Sequence, residues 1–220
     1  MCGRYTQRQK AEVVAKMHGI EKVVGEISAS FNVCPGQDVA AIAGHAERRL
    51  GLLRWGLPPA RAGGRALINA RAETLTEKPT FARLLVQRRC LIVADGFYEW
   101  RQHQGRKQPV FIHLKNDEPF VFAGLWDSLR LEDGQSQSYC TIITTSANAL
   151  IAPVHDRMPV ILTTSAMDAW LDPKYKDATQ LLKQYPDDAM AWFPVSDAVN
   201  SPKNDSSELI VPLLQQAYFI

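Results

Sequence analysis

Arg89-Cys90-Leu91-Ile92-Val93-Ala94-Asp95-Gly96-Phe97-Tyr98-Glu99-Trp100 is the stretch on which the fold turns. Cys90–Trp100 reads as a strand, apolar at its start and carrying Asp95 and Glu99 toward its end, because branched and aromatic side chains suit a half-buried pleated surface. The text on either side repeats the pattern. Upstream, Val39–Ala43 and Arg48–Trp55 are predicted strands, and Pro79-Thr80 opens a short helix to about Gln87. Downstream, strands are expected at Pro109–Leu114, Phe120–Trp126, Ser138–Thr145 and Met158–Leu162, with a last one near Trp192–Val195. Helices are expected near Ala166–Leu171 and Ala178–Gln184. Many strands at short spacing, interrupted by few helices, predict an α+β fold: a single β-rich domain over residues 1–220 whose antiparallel, barrel-like sheet is flanked by short helices.

At the start of the chain, Thr6-Gln7-Arg8-Gln9 reads as a capping box for a helix that carries Ala11, Val14 and Ala15 and stops at Gly19. Pro58-Pro59 through Gly63-Gly64 reads as an exposed irregular loop. The stretch from Asn200 to Ser207 is rich in Ser, Asn and Lys and is expected to be loosely held, whereas Leu209–Leu214 is apolar enough to dock.

With 220 residues and 46% hydrophobic content, the chain can bury a substantial core. Its 25 basic and 23 acidic residues leave a net charge of +2, so a nucleic-acid site has to be a local patch. Cys2, Cys34, Cys90 and Cys140 show no paired C-x-x-C spacing, which argues against a zinc knuckle and a dense disulfide framework and for reduced thiols in a cytoplasm. No run approaches the roughly 20 apolar residues of a membrane span. A soluble, monomeric, cytoplasmic protein with no cofactor and no metal is the expectation.

Cys2 follows Met1 directly, so removal of one residue leaves a thiol and an α-amine on one carbon framework. An α-amine has a reference pKa of about 7.7–8.0 and a cysteine thiol about 8.5, so each is partly unprotonated near neutrality. The amine can add to an aldehyde to give a Schiff base, and the sulfur can close on the imine carbon to give a thiazolidine. A cysteine placed there by chance is the competing reading. Three further clusters set polar groups in apolar text: Leu67–Glu73 with Asn69 and Arg71, Ala94–Trp100 with Glu99, and Val154–Pro159 with His155 and Met158. Glu99 lies between Tyr98 and Trp100, where desolvation raises a carboxyl pKa toward the range of an acid–base catalyst. His155 can shuttle a proton or stabilise an alkoxide. Each has a plainer reading as well, Asn69 and Arg71 as the wet face of a strand and His155 as an ordinary loop histidine. Arg4 and Arg71 can hold phosphates, and Trp55 can stack on bases or sit in the core. Asp95 before Gly96 reads as turn chemistry.

Together, Met1-Cys2-Gly3-Arg4-Tyr5, Arg54-Trp55-Gly56-Leu57-Pro58, Asn69–Thr74, Arg89–Trp100 and His155–Leu162 resemble the SOS response-associated peptidase (SRAP) family, in order from Cys2 to about Asn200. The resemblance implies a protein that senses abasic sites in single-stranded DNA and crosslinks their aldehyde through the N-terminal cysteine. It implies Cys2 as nucleophile, Asn69 as the group that positions the terminus and the sugar, Glu99 as proton donor and acceptor, and His155 as assistant at the sugar oxygen. The DNA-contacting set is then Arg4, Trp55, Arg71 and Met158. One departure is that the loop Pro58–Gly64 lacks the second tryptophan many members carry; the other is the near-neutral charge. Two further functions remain open: a peptidase built on Cys2 and His155, and a noncovalent single-strand binding module in which Cys2 is inert.

Overall fold

The computed structural model describes residues 2–59 and 63–213. Met1, the residues Ala60, Arg61 and Ala62 of the expected loop, and Leu214 of the apolar stretch expected to dock lie outside the described residues.

In chain order the elements are β1 (Tyr5–Gln7), α1 (Ala11–Met17), β2 (Lys22–Val23), β3 (Ser30–Val33), β4 (Asp38–Ala43), β5 (Arg49–Trp55), β6 (Asn69–Arg71), α2 (Pro79–Gln87), β7 (Arg89–Ala94), β8 (Gly96–His103), β9 (Arg106–Leu114), β10 (Phe120–Arg130), β11 (Ser136–Ser146), β12 (Arg157–Pro159), β13 (Ile161–Leu162), α3 (Thr164–Leu171) and β14 (Met190–Pro194). Two sheets result. One has the order β14-β9-β8-β1-β3. The other runs β12-β11-β10-β7-β4-β5-β2, and a parallel pairing of β5 with β11 (Tyr139 opposite Arg54, Cys140 opposite Trp55) closes β11, β10, β7, β4 and β5 into a ring. Closure removes sheet edges, which otherwise present unpaired backbone groups. The expected β-rich α+β fold with a barrel-like sheet and short helices is therefore observed.

Strand alternation assigns the two faces of the ring. Leu91 and Val93 of β7, Ile42 of β4 and Leu125 of β10 pack with Val14, Leu84 and Trp170 of the three helices. Cys90 and Ile92, Ala41 and Phe122 point the other way and pack with Phe97, Val110 and Ile112 of the first sheet, and with Cys2 and Tyr5. Cys2 and Tyr5 are thus enclosed between the two sheets. On the outer face of the first sheet, Tyr98 and Phe111 pack with Val195, Val199 and Leu209.

The continuous strand expected over Cys90–Trp100 is two strands in different sheets, divided at Asp95. Gly96 is required at the break, because a Cβ there would overlap the Phe111 ring. The expected capping box is also not formed. Tyr5–Gln7 is strand, paired with β3 and β8, and α1 starts after Lys10 with no side-chain cap. Thr6 instead donates from Oγ1 to Asp95 Oδ1 at 2.6 Å; a buried charged acceptor outcompetes a helix terminus for the hydroxyl. Met158–Leu162 divides at Val160, whose N–H donates to Ile143 and whose carbonyl accepts from Ala123, so the chain passes from β11 to β10 at that residue. Ala178–Gln184 contributes only the 3-10 turn Ala178–Leu181. The segment Asn200–Ser207 is held rather than loose: the Asn32 side-chain amide donates to the carbonyls of Ser201 (3.1 Å) and Asn204 (2.6 Å), and Asp205 accepts the Phe31 N–H. Leu209 docks in the core, while Val211 and Leu213 are exposed. Among the described residues no helix is long and apolar enough to cross a membrane.

Candidate functional site

Asp95 sets the position of the N-terminal segment. It is buried and accepts from Thr6 Oγ1, from the Arg8 backbone N–H at 2.6 Å and from Arg8 Nε at 2.7 Å. Its own N–H donates to the Thr6 carbonyl. These bonds clamp β1 onto the β7–β8 junction, and Tyr98 N–H to the Arg4 carbonyl extends the contact toward Cys2. The turn reading of Asp95 missed this; the signal that pointed to it was a carboxylate after five apolar residues.

Cys2 is fully buried. Asn69, at the start of β6, donates from Nδ2 to the Cys2 carbonyl at 2.8 Å. Asn69 Oδ1 is buried and has no hydrogen-bond partner among the described residues, so the amide retains an acceptor beside Cys2. The position of Asn69 is fixed by β6, which runs parallel to β11 with Asn69 opposite Ile142.

Glu99 follows from the alternation of β8, which puts Phe97 and Glu99 on one face. Its carboxyl is buried, and burial raises its pKa above the ordinary carboxylate value against the opposing pull of nearby positive charge, His155 included. Burial likewise drives the Cys2 thiol far above its ordinary value, and the Glu99 charge adds to the rise. Composition alone implied a partly ionised thiol at neutral pH. In the folded protein the sulfur is held as the thiol, and a proton acceptor has to take its proton during any reaction.

His155 ends a turn in which its backbone N–H donates to the Ile151 carbonyl. Its Nδ1 accepts the Arg157 backbone N–H at 2.9 Å. Asp156 Oδ1 is also 2.9 Å from that nitrogen, but Asp156 is highly exposed, and the backbone donor built into the turn is what orients the ring. In the neutral imidazole the proton then resides on Nε2. A second fixture was not anticipated from sequence. Arg157 forms a bidentate pair with Glu73 (2.6 and 2.9 Å) and donates to the Thr144 carbonyl at 2.7 Å, tying the turn that carries His155 to the segment that carries Asn69. The Arg157 hydrogen bond lowers the Glu73 pKa. Both residues lie inside polar-rich clusters of the sequence, but nothing in their spacing indicated that they meet.

Cys2, Asn69, Glu99 and His155, distant in sequence, converge: Asn69 bonds to Cys2, and Glu99 is charge-coupled to Cys2 and to His155. The four residues expected to contact DNA separate. Arg71 is exposed at the end of β6. Arg4 turns inward and donates from Nη1 to Asn32 Oδ1 (2.8 Å) and to the Val199 carbonyl (2.6 Å), a structural tie to the Asp197–Asn200 turn. Trp55 is 1% exposed, donates to the Ile68 carbonyl and meets Tyr5 edge-on, so it presents no face to a base. Met158 is fully buried, with its sulfur accepting the Asn148 N–H. For these last two, apolar burial took precedence over exposure. All four cysteines are buried free thiols, and no cluster of metal-ligating side chains occurs among the described residues.

Residues 1–202 match the family described as SOS response associated peptidase (SRAP). Among curated relatives, abasic site processing protein YoqW of Bacillus subtilis is 44% identical over 221 residues, covering 96% of this chain and 99% of its own. Abasic site processing protein YedK of Escherichia coli is 31% identical, covering 97% and 100%. Abasic site processing protein HMCES of Gallus gallus is 34% identical over 78% of this chain and 60% of its own length. A crystal structure of a protein from Bacteroides thetaiotaomicron superposes with a TM-score of 0.85 at 26% identity, covering 97% of this chain. With its ordered motifs, its two-sheet architecture, a family match over residues 1–202 and two bacterial relatives matched over nearly their full length, the chain belongs to the SRAP family.

Proposed function

We propose that this protein processes abasic sites in single-stranded DNA by forming a covalent thiazolidine between the ring-opened sugar aldehyde and Cys2, once Met1 has been removed. The observation that carries the reading is the Asn69 hydrogen bond to the Cys2 carbonyl, which pins the terminus beside a buried carboxyl with a raised pKa. The names of the relatives support the substrate class.

The chemistry follows from the residues. The Cys2 α-amine adds to the aldehyde carbon to give a carbinolamine, and the Asn69 Oδ1 acceptor suits an amine N–H at that position. Glu99, whose protonated form burial favours, donates to the departing hydroxyl, so water leaves and the protonated imine forms. The Glu99 carboxylate then takes the proton of the Cys2 thiol as sulfur bonds to the imine carbon, and the C=N electron pair settles on nitrogen to leave a neutral secondary amine. One water is lost overall. His155, its ring oriented by the Arg157 N–H on Nδ1, donates from Nε2 to the sugar oxygen as the ring opens. Arg71, exposed beside this site, holds a backbone phosphate. Residues 1–220 act in this reading as one domain, because both sheets contribute to the core around Cys2.

A thiol–imidazole peptidase pair depends on a lowered thiol pKa. Burial raises that of Cys2, which favours addition to an aldehyde over the peptidase reading. The test is incubation of Met1-free protein with an abasic single-stranded oligonucleotide. Wild type is expected to give a heat-stable adduct whose intact mass equals protein plus oligonucleotide minus one water, and Cys2→Ala is expected to give none. A full adduct with Cys2→Ala, or none with wild type, refutes the proposal.

A further inference from the structure

Single-strand binding proteins combine cationic grooves with aromatic platforms. With Trp55 buried, the platform has to come from elsewhere. Alternation on β8 places Arg101 on the face of Glu99, about 7 Å further along the strand. Across the sheet, Phe97 lies opposite Ile112, and Ile112 opposite Trp192, so Trp192 shares that face. The Arg101 guanidinium stands 4.9 Å from the Trp192 ring centre.

Three features set this pair apart from an ordinary structural contact. Arg101 makes no ion pair among the described residues, and its Nε is buried with no hydrogen-bond partner. Both side chains are half-buried, each leaving surface open. Trp192 also packs against the cluster that contains Cys2, Ile151 and Val154, next to the turn that presents His155; Asn148 of that turn donates to the Tyr185 carbonyl and to Met190 Sδ. Trp100, by contrast, turns to the opposite face, donating to Asn200.

We infer that Arg101 and Trp192 form a second contact for single-stranded DNA beside the reactive residues, Arg101 taking a backbone phosphate and Trp192 stacking on a base adjacent to the lesion. The inference rests on the single-strand reading above. An aromatic ring under the guanidinium keeps its plane fixed without neutralising its charge. The cation therefore remains available for an anion.

The test measures affinity for an undamaged single-stranded oligonucleotide by fluorescence anisotropy over a salt series, and adduct formation at saturating abasic oligonucleotide. Arg101→Ala is expected to weaken affinity about five- to tenfold and to reduce the slope of log affinity against log salt by about 0.7. Trp192→Leu is expected to weaken affinity about tenfold with the slope unchanged. Arg101→Lys, which keeps the charge, retains the wild-type slope. Arg88 stacks on Trp126 at 4.4 Å at the end of β7 away from β8 and serves as control; Arg88→Ala leaves affinity unchanged. Adduct formation at saturation stays at the wild-type rate in Arg88→Ala. Wild-type affinity and slope in Arg101→Ala overturn the inference, as does an equal loss in Arg88→Ala. Affinity is read whether or not an adduct forms, so a wild-type protein that binds without crosslinking overturns the crosslink reading alone.

Discussion

Glu99 carries its carboxyl into the space between two sheets, where the charged form is poorly solvated, and this single placement has consequences for both stability and rate. Its folded-state pKa is raised, whereas in the unfolded chain it titrates near the reference value of about 4.3. Between those two values the folded protein holds the proton more tightly. Its contribution to stability is therefore full below the unfolded pKa and declines as pH rises through the folded one. Glu99→Gln, neutral at every pH, is expected to raise the midpoint of thermal unfolding at pH 7–8, with the gain disappearing below about pH 4. Melting curves across that range check it. The same variant is expected to slow adduct formation about 100-fold, the lower end for losing a general acid–base, while affinity for undamaged strand is unchanged. Equal losses in rate and binding would make Glu99 a structural residue.

At the scale of elements, two polar fixtures hold the proposed site together, and burial decides their different weights. The Asp95 carboxylate is 1% exposed and accepts three hydrogen bonds from β1 and Arg8. Removing it leaves Thr6 Oγ1 with only the Gly96 carbonyl at 3.3 Å and strands the Arg8 donors next to the core. Asp95→Ala is expected to cost about 2–4 kcal/mol, read as a lower urea midpoint at constant m-value. The pair of Arg157 with Glu73 has good bidentate geometry, but the Glu73 side chain is 49% exposed. Water screens it, so Glu73→Gln is expected to cost under about 1 kcal/mol in the same titration. A larger loss at Glu73 than at Asp95 would reverse the assignment of which fixture supports the fold.

For the molecule as a whole, one ring of strands and one open sheet share a core, and the candidate catalytic side chains come from the N-terminus, β6, β8 and the turn before β12. A net charge of +2 gives little long-range attraction for a polyanion, so binding to single-stranded DNA has to depend on a few local cations. Arg71→Ala is expected to lower affinity and to reduce the salt slope by about 0.7, one phosphate's worth on a single strand. An unchanged slope would remove Arg71 from the interface.

Most strands were legible because each element announces itself locally: branched and aromatic runs at Val39–Ala43, Pro109–Leu114 and Phe120–Trp126, and proline at the first turn of α2. Cys2, Asn69, Glu99 and His155 stood out for a similar reason, as reactive or polar groups within apolar text. What the sequence alone determined was therefore composition by segment and the residue types available for chemistry. The division of the long strand at Asp95, the capture of Thr6 away from a helix cap, the inward turn of Arg4 and the burial of Trp55 and Met158 were decided only by tertiary structure. Each depends on a partner dozens of residues away, or on which face of a strand meets the second sheet, and neither is encoded in local periodicity.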